Sequence, residues 1–416
     1  MLKRYKRALI DLYRRIHELE ADRLGKRLLA LEIQEELLRR IVRAEVRIRQ
    51  RRKLNAQTKR DLSNRANSRD ISTNVRKVHQ QGLDYVDGQK KLIFCLRSIG
   101  DAVAFIYGDR HELKQLVQNN NPGFISGKRG SRLERAILRK AFGWGATVVM
   151  NDLTNTLLIG DITAFEPNLW PNGGSPILPV EVKSGRGGNK KRAARQEQVR
   201  AETMNYILTD VRQFENGVHM RVAATEESRH HGDAITRLSA SLSARGWASE
   251  EVESGLYYII IDCALEELKA SEAFKLLYEK GQRQWFILSA NELRDEVLGY
   301  YPLPLLIRDA ESLYRFYNGE FVIMVFVDVT YVNEMIAHKG VRIEPEHGPW
   351  RIVQLIPDEE WGERGISSRA TGLFGAEFIS LRWFIDNMMF GVMSEAMDEL
   401  MMEQHILARE RLNPPA

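Results

Sequence analysis

Along residues 1–53, apolar positions recur in steps of four and three. Tyr5, Leu9, Leu12, Ile16 and Leu19 form a seam, and Leu24, Leu28 and Leu31 resume it after a shift near Gly25. Ile33, Leu37, Leu38, Ile41, Val42, Val46 and Ile48 carry the stripe onward. Such steps keep side chains on one side of an α-helix, and a sustained seam is the mark of a coiled coil. The segment has no proline and one glycine. A long helix or a helical hairpin is therefore predicted, packed on itself, on a second copy or on the rest of the chain. Residues 54–80 are dominated by Asn, Ser, Thr and Arg and read as a linker or a loosely packed helix.

An apolar stretch within 81–120 predicts buried helix, and Asn119-Asn120-Asn121-Pro122-Gly123 predicts a loop. The period then switches. Helix is expected over 131–142, strands over 146–150, 157–165 and 177–183, a long helix over 189–214 and a fourth strand over 218–224. A Pro- and Gly-rich turn fills 167–176. Strands flanked by helices predict an α/β domain. Further on, 256–263 and 321–330 read as buried strands. Residues 380–410 read as a terminal helix whose Met389, Met393, Met397 and Met401 share one face, a stripe better suited to a core or an interface than to a cofactor. The expected division is a basic helical arm with its linker (1–80), a helical connector (81–123), the α/β core (124–225) and an α+β C-terminal region (226–416).

Composition narrows the function classes. There is no apolar run of 18 residues, so no membrane span is expected. The opening MLKRYKRALIDLYRR is basic but broken by charges, so it lacks a secretory apolar region. Cys95 and Cys263, each in an apolar run, read as reduced core residues of a cytoplasmic protein. The net charge of +5 conceals an asymmetry: residues 1–80 hold 23 Lys and Arg against 10 Asp and Glu. A basic arm on a mildly acidic body suits a nucleic-acid binder, and equally a solvated Arg-rich coiled coil.

Candidate chemistry sits in the α/β segment. In Val180-Glu181-Val182-Lys183, residues two apart share a strand face, so Glu181 and Lys183 are expected to point together. Asp161 interrupts the preceding apolar strand, and the intervening turn lets the two strands pair with Asp161 beside Glu181. Charges on apolar strands are costly unless paired or used. A buried ion pair would explain Glu181 and Lys183 alone. With Asp161 added, the trio suits Mg²⁺ or Mn²⁺ held by hard oxygen ligands, with a lysine to orient water or meet developing phosphate charge.

The residues Gly160-Asp161-Ile162 and Glu181-Val182-Lys183-Ser184-Gly185 resemble the D…(D/E)xK signature of the PD-(D/E)xK nucleases. Upstream, Arg129-Gly130-Ser131-Arg132-Leu133-Glu134-Arg135-Ala136-Ile137-Leu138 is similar to the first helix of Holliday-junction-resolvase-like members, with Glu134 as its acidic residue. In this helix Leu133, Ala136, Ile137 and Ala141 are expected to make the apolar stripe, with Glu134 at its border. The resemblance spans roughly residues 130–224 and implies a restriction-endonuclease-like core of helix, three strands, helix and strand. It further implies metal ligation by Asp161, Glu181 and the Val182 carbonyl, water handling by Lys183 and a supporting role for Glu134. The products would be 5′-phosphate and 3′-hydroxyl ends. Gly160 stands where the family name has proline.

The loop after Lys183 is glycine-rich and cationic. Arg186, Lys190, Lys191, Arg192 and Arg195 would grip a DNA backbone there, or form a solvated loop. Gln196 and Gln198 open the next helix, where the resemblance implies a glutamine near the site and where a plain surface glutamine is the alternative. The segment from Gly123 to Lys128 is one residue short of a phosphate loop and lacks its Ser/Thr, so no ATP-driven motor is expected. His230 and His231 beside Glu226 and Glu227 are adjacent and would point apart, which favours a surface loop over a metal site. The function expected is Mg²⁺-dependent DNA cleavage, in restriction or anti-phage defence, with a possible homodimer through the N-terminal helices. The alternative is a non-catalytic DNA-binding or scaffold protein.

Overall fold

The N-terminal stripe folds back on its own chain. In the computed structural model, Lys6–Ala21 (α1), Arg27–Asn64 (α2) and Thr73–Tyr107 (α3) are helices, and α2 packs most extensively on α3. Residues described are 2–64, 73–117, 123–128, 130–165, 177–182, 190–209, 211–214, 217–220, 226–242, 246–264, 272–275, 277, 279, 281–293, 299–345, 350–354 and 364–389. On α2 the buried positions Ala30, Ile33, Leu37, Ile41, Ala44 and Ile48 advance by three and four, the stripe a helix needs to bury one side. Leu9, Leu12, Ile16 and Leu19 of α1 and Leu92, Leu96, Ile99 and Val103 of α3 are buried as well. Of the three packings expected, the seam is filled by its own chain. The expected continuation through Leu24 and Leu28 is corrected: these side chains are 82% and 60% exposed, because the chain turns between α1 and α2 there. The polar stretch 54–80 is helix up to Asn64 and again from Thr73; residues 65–72 lie outside the described residues.

Two compact units divide the chain, residues 1–201 and 202–416. In the first, the short helix α4 (Arg110–Gln115) follows α3, and α5 (Ser131–Gly143) precedes three strands. These are β1 (Val148–Met150), β2 (Ile162–Phe165) and β3 (Ile177–Val180), an antiparallel sheet in that order. Ile162 pairs with Val180, so Asp161 and Glu181 stand at the same end of neighbouring strands. The strand expected over 157–165 is shorter, because 157–161 form a bend held by side chains rather than by a ladder.

The free edge of β1 is closed by a side chain. Gln34 of α2 donates from Nε2 to Val148 O at 2.9 Å and accepts Met150 N–H on Oε1 at 3.0 Å. The amide thus stands in for one residue of an absent strand, satisfying an edge that would otherwise be bare. Further along α2, the fully buried Glu45 accepts the backbone N–H groups of Ile125 (3.0 Å) and Ser126 (2.6 Å). Its charge is faced by Arg97 of α3 at 3.9 Å. Arg97 also donates to Gly123 O and Asp152 O. The segment leading into α5 is therefore pinned by a buried charge pair whose hydrogen bonds are satisfied.

Helix α6 (Lys190–Thr209) crosses the boundary between the units. The helix expected to reach 214 stops at Thr209, and Val211–Phe214 (β4) pairs instead with Gly217–Met220 (β5). The register sets Phe214 opposite Gly217, and the β-branched and aromatic residues Val211, Phe214 and Val218 suit strand pairing. The fourth strand of the expected restriction-endonuclease-like core is thus one arm of this hairpin, in a sheet of its own among the described residues. The chain is mixed α/β in composition, and every described strand pairing is antiparallel.

The second unit centres on a four-stranded sheet. Its strands are β6 (Trp247–Glu253), β7 (Leu256–Asp262), β8 (Trp285–Ser289) and β9 (Phe321–Asp328), in the order β6-β7-β9-β8. The two expected strands are its central pair. Tyr257, Ile259 and Phe326 pack with Ala273 and Leu277 on one side. Strand β7 ends at Asp262, which places Cys263 in an exposed turn and corrects its expected burial; Cys95 is buried as expected. A further sheet of Val341–Pro345, Trp350–Gln354 and Arg364–Ile366 follows. Of the expected terminal helix, Leu381–Phe384 is α-helical, residues 385–389 form a π-helical turn, and residues 390–410 lie outside the described residues. No described helix is long and apolar enough to cross a membrane.

Candidate active site

The bend before β2 is built around Asn151, a buried residue directly after β1. Its Nδ2 donates to Ile159 O (2.7 Å) and Gly160 O (3.2 Å), its Oδ1 accepts from Thr163 Oγ1 (2.8 Å), and its N–H donates to Asp161 O (3.0 Å). Gly160 takes the left-handed φ of +80°. A Cβ there would lie 3.0 Å from Val180 O, so glycine serves both the turn and the close approach of the two strands. Asp161 N–H donates to Val180 O at 2.9 Å, and Asp161 Oδ2 accepts Val182 N–H at 2.8 Å. The carboxylate is fixed at both its backbone and its side chain.

Glu181 is exposed, one residue past β3. The expected strand over 177–183 ends at Val180, and a shared strand face for Glu181 and Lys183 is not part of it. Lys183 and Arg186 lie outside the described residues. Lys190, Lys191, Arg192, Arg195 and Gln196 belong to α6, but their side chains lie outside what is described. Gln198, also on α6, is exposed.

Glu134 is 3% exposed. The buried face of α5 is Glu134, Leu138 and Phe142, spaced by four, rather than the expected Leu133, Ala136 and Ile137. Leu133 is exposed. The helix is turned so that Arg135 and Arg139 reach Glu35 of α2, and this places Glu134 at the centre of the buried face. Its Oε2 is buried without a hydrogen-bond partner among the described residues. Burial, then repulsion from Asp161 and Asp152, pushes its carboxyl up to about 7; Lys128 opposes the shift and Glu181 adds to it. Three carboxylates thus act on Glu134 here: Asp161, Asp152 and Glu181.

Sequence reasoning missed Asn151, Asp152, Lys128 and Arg200. Lys128 Nζ lies 2.5–2.7 Å from the Asp152 carboxylate. Arg200 of α6 is bonded to Glu197 and also attracted by Glu181. The signal for Asn151 and Asp152 was available: two polar residues close an entirely apolar strand. His230 and His231 hold structure rather than metal. His231 bonds to Glu253 at 3.0 Å, and His230 to Ser228 Oγ and Glu377 O, both at 2.9 Å.

Among the described residues, no three His, Cys, Asp or Glu side chains stand at metal-holding distance from one another. The donor chemistry nonetheless suits a divalent cation. Glu134 presents a buried oxygen without a partner, and its charge is opposed by three neighbouring carboxylates, the imbalance a hard cation relieves. No protein-family model, curated protein or solved structure matches this chain.

Proposed function

We propose that this protein is a metal-dependent nuclease of PD-(D/E)xK type that hydrolyses DNA phosphodiester bonds. The observation that supports the reading is that Asp161, one residue before β2, and Glu181, one residue past β3, stand at neighbouring strand ends, and that both repel the buried carboxyl of Glu134 of α5. Asp161, Glu181 and the Val182 carbonyl would hold Mg²⁺ or Mn²⁺. Such an ion, when bound, polarises a phosphoryl oxygen and lowers the pKa of water. Glu134, protonated near neutrality when alone, would ionise once a cation offsets its neighbours, and would then accept a proton or orient water. Lys183, two residues after Glu181, would orient the attacking water or meet phosphate charge. Arg186, Lys190, Lys191, Arg192 and Arg195 would track the DNA backbone by charge. A defence role against foreign DNA fits a nuclease core with large flanking segments.

A second reading, a non-catalytic DNA-binding or scaffold protein, is favoured by the exposure of Glu181 and by the spread of the carboxylates. Cleavage of plasmid and single-stranded DNA with Mg²⁺, Mn²⁺ or EDTA separates the two. Metal-dependent cutting that disappears in Asp161→Asn and Lys183→Ala is expected. Cutting that survives both substitutions removes this site, and DNA binding without cutting favours the second reading.

A further inference from the structure

The three N-terminal helices frame a small cleft of about 70 Å³, room for a phosphate-sized group and well short of a pocket that buries a whole organic ligand. Tyr5, Leu9, Arg40, Arg43, Arg47 and Leu92 line it. Three arginines converge here with little acidic compensation. Glu36 is shared between Arg39 at 2.6 Å and Arg40 at 2.5 Å. Arg40 Nε is buried without an acceptor among the described residues. Arg47 is held in place by Tyr5, whose hydroxyl accepts from Arg47 Nη1 at 2.6 Å and from Gln89 Nε2 at 3.4 Å. Arg43 is exposed, and no described carboxylate pairs with it. Leu9 and Leu92 supply apolar lining.

We infer that this cleft binds a small phosphate-bearing molecule. Guanidinium forks match phosphate oxygens through paired, charge-assisted hydrogen bonds. Arg43 supplies donors that the fold itself does not use, and the unsatisfied Arg40 Nε–H becomes one once its side chain turns toward the cleft. The cleft has room for the phosphate alone, so an organic part of the same molecule would lie at its mouth, beside Leu9 and Leu92. This inference is independent of the nuclease reading.

Isothermal titration of the full chain in EDTA tests it, with ATP, inorganic phosphate, adenosine and a single-stranded decanucleotide as probes. ATP or phosphate is expected to bind, adenosine to bind much more weakly, and Arg43→Gln to weaken the interaction about tenfold, the loss of one charge-assisted bond. Arg14→Gln, an exposed change elsewhere on α1, is expected to leave binding unaltered. Because Arg43 is exposed, its substitution spares the fold, which the melting curve checks. Absence of ATP and phosphate binding, or equal binding by Arg43→Gln, overturns the inference. So does a decanucleotide that displaces ATP through Arg43.

Discussion

Asp161 and Val182 are joined by a hydrogen bond of 2.8 Å, from the Val182 backbone N–H to the Asp161 carboxylate. The bond ties the start of β2 to the residue just after Glu181, so two of the proposed metal ligands share one local framework. Gly160 sets its geometry. Gly160→Ala places a Cβ against Val180 O at a positive φ, and is expected to cost about 1–3 kcal/mol. DNA cleavage should fall further than stability does, since Asp161 moves with the strain. Gly143, whose added Cβ meets nothing within 4 Å, is the control. Denaturant midpoints and cleavage rates of the two alanine variants decide the matter. Equal effects from both would remove the strained role of Gly160.

Glu134 predicts an unusual pH dependence. Its folded carboxyl is pushed from 4.5 up to about 7, so the folded state holds this proton more tightly than the unfolded chain does. The associated stability is fully present below about 4.5 and is lost as pH rises through about 7. Glu134→Gln removes the titration. In EDTA the variant should gain on the wild type between those limits, with a ceiling near ~3 kcal/mol. Melting curves taken from pH 4 to pH 8 (roughly the window of the shift) measure it, and a constant difference would show that no such shift exists.

The placement of Asp161 and Glu181 at neighbouring strand ends could be read from the chain, and other residues could not. Asp161 and Glu181 were legible because each interrupts an apolar strand, and hairpin pairing follows from a short Pro- and Gly-rich turn. The seam of α1 and α2 was legible because burial repeats every three or four residues. Periodicity treats every polar position as solvated, so it could not see Gln34 or Glu45, whose backbone partners lie far away in sequence, or Asn151, which holds the bend eight to twelve residues on. It also misjudged the rotation of α5. A carboxylate on the buried face contradicts the apolar stripe that the method seeks, and only the Arg135 and Arg139 contacts to Glu35 reveal the turn. The end of α6 failed for a related reason: Val211 and Phe214, three apart, fit one face of a helix, and pairing with β5 overrides that spacing.

Asp101 of α3 carries a second buried framework. Its carboxylate accepts from Asn155 N (2.9 Å) and Nδ2 (3.0 Å), and from Thr156 N (3.0 Å) and Oγ1 (2.5 Å). These bonds hold the segment that leads to Asp161. Asp101→Ala strands four buried donors, and each stranded group costs about 1–3 kcal/mol when it cannot reach water. A loss of at least ~3 kcal/mol is expected in urea unfolding. A loss below about 1 kcal/mol would mean that water replaces the carboxylate and that the segment is held by other means.

Gln34 gives the sharpest test of how the N-terminal helices serve the sheet. Its side-chain amide supplies both a donor and an acceptor to β1, and both backbone partners are buried. Gln34→Leu keeps the volume and the helix propensity but strands Val148 O and Met150 N–H. Two unsatisfied groups predict a loss of about 2–4 kcal/mol. The loss should be local in origin, because β1 has β2 on its other side and no strand to replace the amide. Hydrogen exchange distinguishes the causes. If Gln34 closes the sheet edge, the Met150 amide should lose protection in the variant while amides in the middle of α2 keep theirs. Loss of protection along α2 together with Met150 would instead mean that the substitution disturbs helix packing, and that the edge contact is incidental.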